Sequence, residues 1–475
     1  MGFYLGIDAG TTKVAAVVVD ATTGRAVALE SAPEPGPLPA PVGRSEWDAE
    51  ALVDRALRTA RVALATSGRA REVAAIAVTG QQHGMVLLSA GSGSAGRPLT
   101  PLIGWQDRRC DEPAGGFPST IAWMRHLLAG VATARTGCPL ASGFLGATLF
   151  WLAHQGRLPD RPSLATFLPD FIVARLCEQP PVTDPTNAAG SGVFDAVARG
   201  WHTEMLDALD IPVALLPPVR PTGAVAGRLA ATAAAALGLP PGTPVFNALG
   251  DNQASFFGSV GGSTDDLLVN VGTGGQVSAI VERFVRGDLL ETRPYLGEVY
   301  LLVGAGVGGG RSYALLRDFI GQVGRECFGV EAADDLYPTL NALAATIPPG
   351  SDGLRCDPRF GGNRFNPDQR GGVTAIDGSN FTPGHLARAT LEGLAATFHT
   401  LYGNMLTAGL TPRRRLVGSG NGIRRNPLLV ELLGSSFAMP LVNPRQVEEA
   451  AHGAAMLAAV GAGELSLDAA TVRIG

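Results

Sequence analysis

Apolar residues recur along the chain in two rhythms, and their alternation sets out the elements. Phe3 to Ile7 and Val14 to Val19 are short β-branched runs of period-two character, predicted as strands joined by a turn at Gly10 to Thr12. Thr22-Thr23-Gly24-Arg25 makes a second turn and Ala26 to Ala32 a third strand, so an antiparallel meander precedes the proline-rich Pro33 to Pro41. The rhythm then changes. Leu52, Val53, Ala56, Leu57, Ala60, Ala63 and Leu64 follow the 3.6-residue period behind Asp48, which predicts a capped helix. Val73 to Val78 reads as a buried strand running into the polar cluster Thr79-Gly80-Gln81-Gln82-His83-Gly84. Gly91 to Gly96 is predicted as a glycine-serine turn, Phe144 to Trp151 and Pro169 to Leu176 as helices, and Thr183 to Gly190 as a loop.

The second half begins again. Val245-Phe246 is a short strand that delivers Gly250-Asp251 to a helix, and Leu267 to Val281 is a strand, a Gly272-Thr273-Gly274 turn and a second strand. This echo of residues 3 to 19 predicts two homologous domains, divided here as 1–246 and 247–475. Three strands, a helix and a strand open a ribonuclease-H-like unit. Two such units closing on a nucleotide cleft give an α/β fold of the actin, hexokinase and Hsp70 kind. Further on, Val299 to Val303 is a strand, Gly304 to Gly309 a strand-to-helix turn, and Tyr313 to Val323 a helix. Arg415 to Gly422 is a strand and glycine turn, followed by helices from Asn426 to Phe437 and from Val447 to Val460.

With 475 residues and 46% hydrophobic content the chain can bury two large cores. Net charge is −5, and Arg413-Arg414-Arg415 is an isolated basic run, which argues against nucleic acid or an anionic membrane as partner. Cys110, Cys138, Cys177, Cys327 and Cys356 lack metal-ligand spacing and suit a reducing cytoplasm. The start of the chain enters a strand at once, without the pattern of a signal peptide. The apolar stretch from Ala450 to Gly463 is interrupted by His452 and too short to span a bilayer.

Against that background the polar clusters carry the chemistry. Thr11 and Thr12 offer hydroxyls and backbone N–H groups to phosphate, Gly10 supplies φ freedom, and Asp8 could hold a hydrated divalent cation. An ordinary Asp/Gly/Thr hairpin accounts for the same residues. Lys13 is the one lysine among 37 basic residues, and it stands at this turn. Gln81, Gln82 and His83 follow a parallel-type strand, where open α/β sheets place ligands, and amides and a neutral imidazole suit a polyhydroxylated one. A satisfied buried histidine is the alternative for His83. Trp105 with Asp107, Arg108 and Arg109 reads as a sugar platform or equally as a salt-bridged loop. Asp251 is a helix cap or a general base. Gly304 to Gly309 matches GxGxxG, but no strand ending in an acidic residue follows, which argues against a dinucleotide fold.

Taken in order, Asp8-Ala9-Gly10-Thr11-Thr12, Gly80-Gln81-Gln82-His83-Gly84, Trp105-Gln106-Asp107-Arg108-Arg109, Gly250-Asp251-Asn252-Gln253, Gly272-Thr273-Gly274 and Gly418-Ser419-Gly420-Asn421 with Asn426 resemble the FGGY carbohydrate kinases over nearly the whole chain. The resemblance implies transfer of the γ-phosphoryl group of Mg-ATP to a sugar hydroxyl. It implies Asp251 as the base and Asp8 and Asp251 around Mg2+. Gln82, His83, Trp105, Asp107 and Asp251 would meet the sugar, and Gly10, Thr11, Thr12, Lys13, Gly272, Thr273, Gly418, Gly420 and Asn426 the nucleotide. The sedoheptulokinase and xylulokinase branches are most similar, so a ketose is the expected substrate and a homodimer the one protein partner left open. Gln82 departs from a usual methionine, Arg108 from glycine and Lys13 from a small residue. An ATPase of the actin and Hsp70 superfamily, or a catalytically altered sugar-binding relative, is the alternative.

Overall fold

The computed structural model describes residues 2–91, 94–331, 335–362, 365–366 and 368–474, so positions 92 and 93 of the expected glycine-serine turn lie outside the described residues. The opening hairpin forms as the pattern predicts: β1 (Phe3–Ala9) and β2 (Lys13–Asp20) pair antiparallel, and β3 (Arg25–Pro33) joins β2. Helix α1 (Ala49–Ser67) starts at Asp48, whose carboxylate accepts from the backbone N–H groups of Glu50 and Ala51, and ends at Gly68 with φ 64°. A cap of this kind is worth about 1 kcal/mol. Leu52, Val53, Ala56, Ala60, Ala63 and Leu64 are its buried stripe.

Strand β4 (Val73–Gly80) then runs parallel to β1. The helices α2 (Leu145–His154) and α3 (Leu168–Cys177) lie where the periodicity puts them. β5 (Val225–Arg228), β6 (Pro244–Phe246) and β7 (Leu249–Gly250) complete a seven-stranded sheet of order β5-β6-β4-β1-β2-β3, with β7 also on β4. The division expected at 246/247 therefore falls between two strands of one sheet. Helix α4 (Asp251–Val260) leaves it.

The second sheet repeats the plan. β8 (Asp266–Val271) and β9 (Gly275–Val281) form a hairpin, and β10 (Leu290–Pro294) and β11 (Tyr300–Val307) extend it antiparallel. Helices α5 (Gly310–Phe328) and α6 (Pro383–Thr407) follow. Then come β12 (Arg415–Ser419), α7 (Pro427–Phe437), β13 (Leu441–Val442) and α8 (Glu449–Gly461). The order is β10-β11-β9-β8-β12-β13, with β12 and β13 parallel to β8. Stripped of β10, this is the arrangement β3-β2-β1-β4-β6 of the first sheet.

Helices α4 and α8 stand between the sheets in one apolar core that includes Tyr4, Val17 and Ala77 from the first and Leu268, Val303 and Val417 from the second. Their contact is backbone against backbone. A Cβ on Gly453 would lie 2.0 Å from the Ala254 carbonyl oxygen, and one on Gly258 1.9 Å from that of Glu449. A Cβ on Gly6 of β1 would meet the Ala451 carbonyl oxygen at 1.9 Å, so α8 is seated on the first sheet as closely as on α4.

Two expectations are corrected. The stretch Gly304 to Val307 continues β11, and only Gly308-Gly309 turns; Gly304 is small because a Cβ there would meet the Leu401 side chain of α6 at 2.9 Å. Gly10 does not use the left-handed region for which a glycine was expected.

Candidate active site

Three parallel strand ends of the first sheet bring the first cluster together. Ala9 pairs with Gly80, and Gly80 with Gly250, so the residues that follow β1, β4 and β7 emerge side by side at one edge. The Gln81 N–H donates to the Ala9 carbonyl at 3.0 Å. A Cβ on Gly80 would sit 2.8 Å from that same oxygen, which fixes glycine here.

Asp8 lies on β1 just before the turn. Its Oδ1 is shut away from solvent without a hydrogen-bond partner. Burial, with the negative charges of Asp251, Glu448 and Glu449 against the opposing Lys13, pushes its carboxyl up to about 7. Asp8 and Asp251 thus repel one another across the edge, and a cation would satisfy both. Among the described residues no group of three or more His, Cys, Asp or Glu side chains is arranged to hold a metal by itself. The donor set fits a magnesium ion that keeps waters and phosphate oxygens as its remaining ligands.

Asp251 is the first residue of α4, and Gly250 occupies the cap position, so the capping alternative for Asp251 is not what the fold uses. A carboxylate in the first turn is favoured by the helix dipole. Its Oδ1 accepts from the Asn252 N–H at 2.7 Å. The Gly250 N–H donates to Thr186 Oγ1 at 2.9 Å, and that hydroxyl donates to Asp184 at 2.7 Å. The segment expected as a loop thus forms a short helix, Pro185–Ala188, behind the strand end.

His83 has φ 77°, a strained value for a non-glycine residue. Its Nδ1 lies 2.8 Å from the Gly190 carbonyl, which assigns the proton to Nδ1 and makes Nε2 the acceptor. The ring stacks on Phe144 at 4.1 Å. Trp105 is half-buried, and its indole N–H donates to Thr11 Oγ1 at 3.1 Å, so the expected sugar platform is tied to the phosphate turn.

Other expected residues are placed differently. Asp107 is fully buried; its oxygens accept from Arg109 and from the Ser45 N–H, which is the salt-bridged loop of the alternative reading. Arg108 pairs with Asp111 at the surface. Lys13 pairs with Glu448, which immediately precedes α8. The Gln82 amide is engaged by Thr186, Gln253 and Arg293.

In the second sheet the Gly272–Gly274 turn is held by α5: the Gly310 N–H donates to the Gly272 carbonyl at 2.9 Å and the Arg311 N–H to that of Thr273 at 3.0 Å. Glycines here divide into two kinds. A Cβ on Gly272 would meet no atom nearer than 3.9 Å, so the protein itself does not require glycine there and the room is left for a ligand. A Cβ on Gly418, by contrast, would strike Leu441 at 2.5 Å, so Gly418 is a packing glycine. Gly420 has φ 87°, and its Cβ would meet the Val271 carbonyl at 2.6 Å, which locks the two glycine turns together. Asn426 caps α7 through the Leu429 N–H at 3.1 Å and donates to Asn341 at 3.1 Å.

Sequence reasoning missed Glu291 and Arg293 on β10, which lie buried beside Gln82. Phe144 was read only as helix. A cavity of about 370 Å3 lies between residues 125–140 and 284–292, with Cys138, Gly192 and Thr292 in its wall.

Comparison with known proteins gives a consistent result. The model of the N-terminal domain of the FGGY family of carbohydrate kinases matches residues 3–258, and that of its C-terminal domain residues 269–462. Sedoheptulokinase of Homo sapiens is 30% identical over 95% of this chain and 96% of its own length. A glycerol kinase of Trichlorobacter lovleyi is 32% identical over 98% and 90%. Among solved structures, a xylulose kinase from Rhodospirillum rubrum superposes with TM-score 0.83 at 27% identity, covering 99% of this chain and 92% of that one. A gluconate kinase from Lactobacillus acidophilus shares the fold, with TM-score 0.86 at 23% identity over 100% and 92%.

Proposed function

The chain belongs to the FGGY family of carbohydrate kinases and is a sugar phosphotransferase, and from that premise we propose that it phosphorylates a ketose of the sedoheptulose or xylulose type with Mg-ATP. The convergence of the β1, β4 and β7 ends carries the reading, because it sets the Asp8 turn, His83 and Asp251 along one edge. The match of both halves to kinase domains weighs against the chaperone-like ATPase alternative. The similarity to sedoheptulokinase favours a ketose.

In this reading Asp251 accepts the proton of the attacking sugar hydroxyl. His83 Nε2 accepts a second hydroxyl, with its ring orientation fixed by Gly190 and Phe144. Trp105 covers one face of the sugar. The backbone N–H groups of Gly10, Thr11, Thr12, Gly272 and Thr273 hold phosphate oxygens, Lys13 adds a positive charge, and Gly420 and Asn426 border the nucleoside. Gly418 supports them through packing. Asp107 acts by fixing the Trp105 loop, and Gln82 by fixing its neighbours. Asp8, with its unpartnered oxygen, and Asp251 would hold a magnesium ion, which when bound would neutralise phosphate charge. Positioning and charge neutralisation dominate such a transfer, and closure of the two units would exclude competing water. The division between units falls after α4 rather than at 246/247. A reducing cytoplasmic setting suits the five free cysteines.

The test is ADP release from Mg-ATP with sedoheptulose, D-xylulose, L-xylulose, ribulose, fructose, glycerol and gluconate, with Asp251→Asn in parallel. Turnover with a ketose that disappears in the variant is the expected result. Turnover with glycerol or gluconate alone would replace the substrate class, and sugar-independent hydrolysis would replace the acceptor with water.

A further inference from the structure

Gln82 stands where a sugar ligand was expected, yet its amide is bonded within the protein. Nε2 donates to the Thr186 carbonyl at 2.8 Å and to Gln253 Oε1 at 3.1 Å, and Oε1 accepts from Arg293 Nη1 at 3.3 Å. The Gln253 amide in turn donates to the Pro294 carbonyl at 3.1 Å. These bonds make a closed circuit from β10 of the second sheet, through Gln82 after β4, to α4 and back to β10. The circuit presses on the residue before the proposed base: a Cβ on Gly250 would lie 1.8 Å from Gln82 Nε2.

Arg293 holds one end of this circuit. A side-chain amide can be turned end for end, and here the Thr186 carbonyl facing its NH2 and the Arg293 donor facing its oxygen select the same orientation. With the amide reversed, its NH2 would face the guanidinium and its oxygen the Thr186 carbonyl and Gln253 Oε1, and all three bonds would be lost. Arg293 is itself held by Glu291, which accepts from Nε at 2.9 Å and from Nη2. Both side chains are buried, at 4% and 0% exposure. A buried ion pair is a poor way to stabilise a core, since apolar residues of similar volume commonly do as well or better. Something other than packing therefore accounts for a charged pair at this point. The Asp251 charge also acts on Arg293, which places the two within Coulombic reach.

We propose that Arg293, backed by Glu291, is a positioning residue for phosphoryl transfer: it reaches from the second sheet to orient Gln82, and through Gln82 holds Gly250 and the N-terminus of α4 so that Asp251 meets the sugar. The inference rests on the reading of Asp251 as the base. It gives Gln82 the role of a coupling between the two sheets rather than a selector of sugars.

The experiment uses the full-length protein with Arg293→Met, Arg293→Lys, the double variant Glu291→Leu/Arg293→Met, Gln82→Met and Asp251→Asn. Arg293→Met leaves the buried Glu291 carboxylate without its cation, with the Cys138 thiol still donating to it, and is the variant at risk of unfolding; the double variant removes both charges and keeps the test sharp. The double variant is expected to keep its Tm while kcat falls about 100-fold, the scale of a small misplacement of a reacting group, with KM for ATP within about twofold of the parent. Arg293→Lys is expected to recover part of that loss, because it restores a donor to Gln82. Hydrogen exchange at the backbone N–H groups of Gly250 to Gln253, read without any sugar, is expected to speed up about tenfold in both the double variant and Gln82→Met. A double variant with parental kcat and parental exchange would overturn the proposal and leave the pair as core filling. Undiminished turnover in Asp251→Asn would instead overturn the reading of the base, whatever the exchange rates show.

Discussion

The two hairpin turns share a plan and differ in what they offer. In the first, Asp8 precedes Gly10-Thr11-Thr12; in the second, Asn270 precedes Gly272-Thr273-Gly274. Asp8 keeps an unpartnered oxygen and a raised carboxyl, whereas Asn270 is neutral and its amide donates to Ser419 at 2.7 Å. Side chains from elsewhere dress the first turn, with Trp105 on Thr11 and Glu448 on Lys13. Backbone groups dress the second, from Gly309, Gly310, Arg311 and Gly420. On the proposed function, the repeated hairpin is divided into a charged partner for the reacting phosphate and a neutral cradle for the rest of the nucleotide.

That division can be broken from either side. Asp8→Asn gives the first turn the chemistry of the second, and is expected to lower kcat by about 100-fold or more, measured by ADP release at saturating Mg-ATP. Undiminished kcat would erase the distinction. Gly420→Ala attacks the cradle: with φ 87° and the Val271 carbonyl 2.6 Å from the new Cβ, it should cost about 1–3 kcal/mol and weaken ADP binding in calorimetry, with sugar KM little changed. A loss confined to the sugar would assign the second turn to the wrong ligand.

A smaller effect separates the turns by pH. The Asp8 carboxyl rises from 3.8 to about 7 on folding, so between those values the native state keeps a proton that the unfolded state has released. Stability of the ligand-free protein should therefore fall as pH rises from about 4 to 7, by about 2 kcal/mol after allowance for partial solvation. Asp8→Asn should flatten that slope in denaturant titrations, and Asn270→Ser should leave it as it is. Smallest of all, Glu448→Gln should change stability by less than about 1 kcal/mol, because Lys13 is 42% exposed, while altering KM for ATP. A larger stability loss would make that pair structural.

Much of the frame was legible in local pattern. Period-two runs gave both hairpins, and Asp48 marked the start of α1. The polar clusters after β1, β4 and β7 pointed to the sheet edge because short apolar strands ran straight into them. What escaped depends on contacts distant in sequence. The segment Leu290 to Pro294 alternates no more clearly than a loop, so nothing local marked Arg293 or its bond to Gln82, 211 positions away. Asp107 could be read as ligand or as salt bridge until the Ser45 N–H, 62 positions away, was seen to take its second oxygen. Helix α6 did carry a signal that was passed over, with Thr382 as its cap and Pro383 in its first turn.

The solitary lysine also gives this protein a built-in reporter. Growth on 15N-labelled lysine would place one ε-ammonium resonance in the whole spectrum, seated on the first hairpin turn and opposite Glu448. Amine-directed labelling would find there the one side-chain target of its kind in this sequence. On the proposed function, occupancy of the nucleotide cleft could then be followed by that single ε-ammonium peak, with no engineered tag.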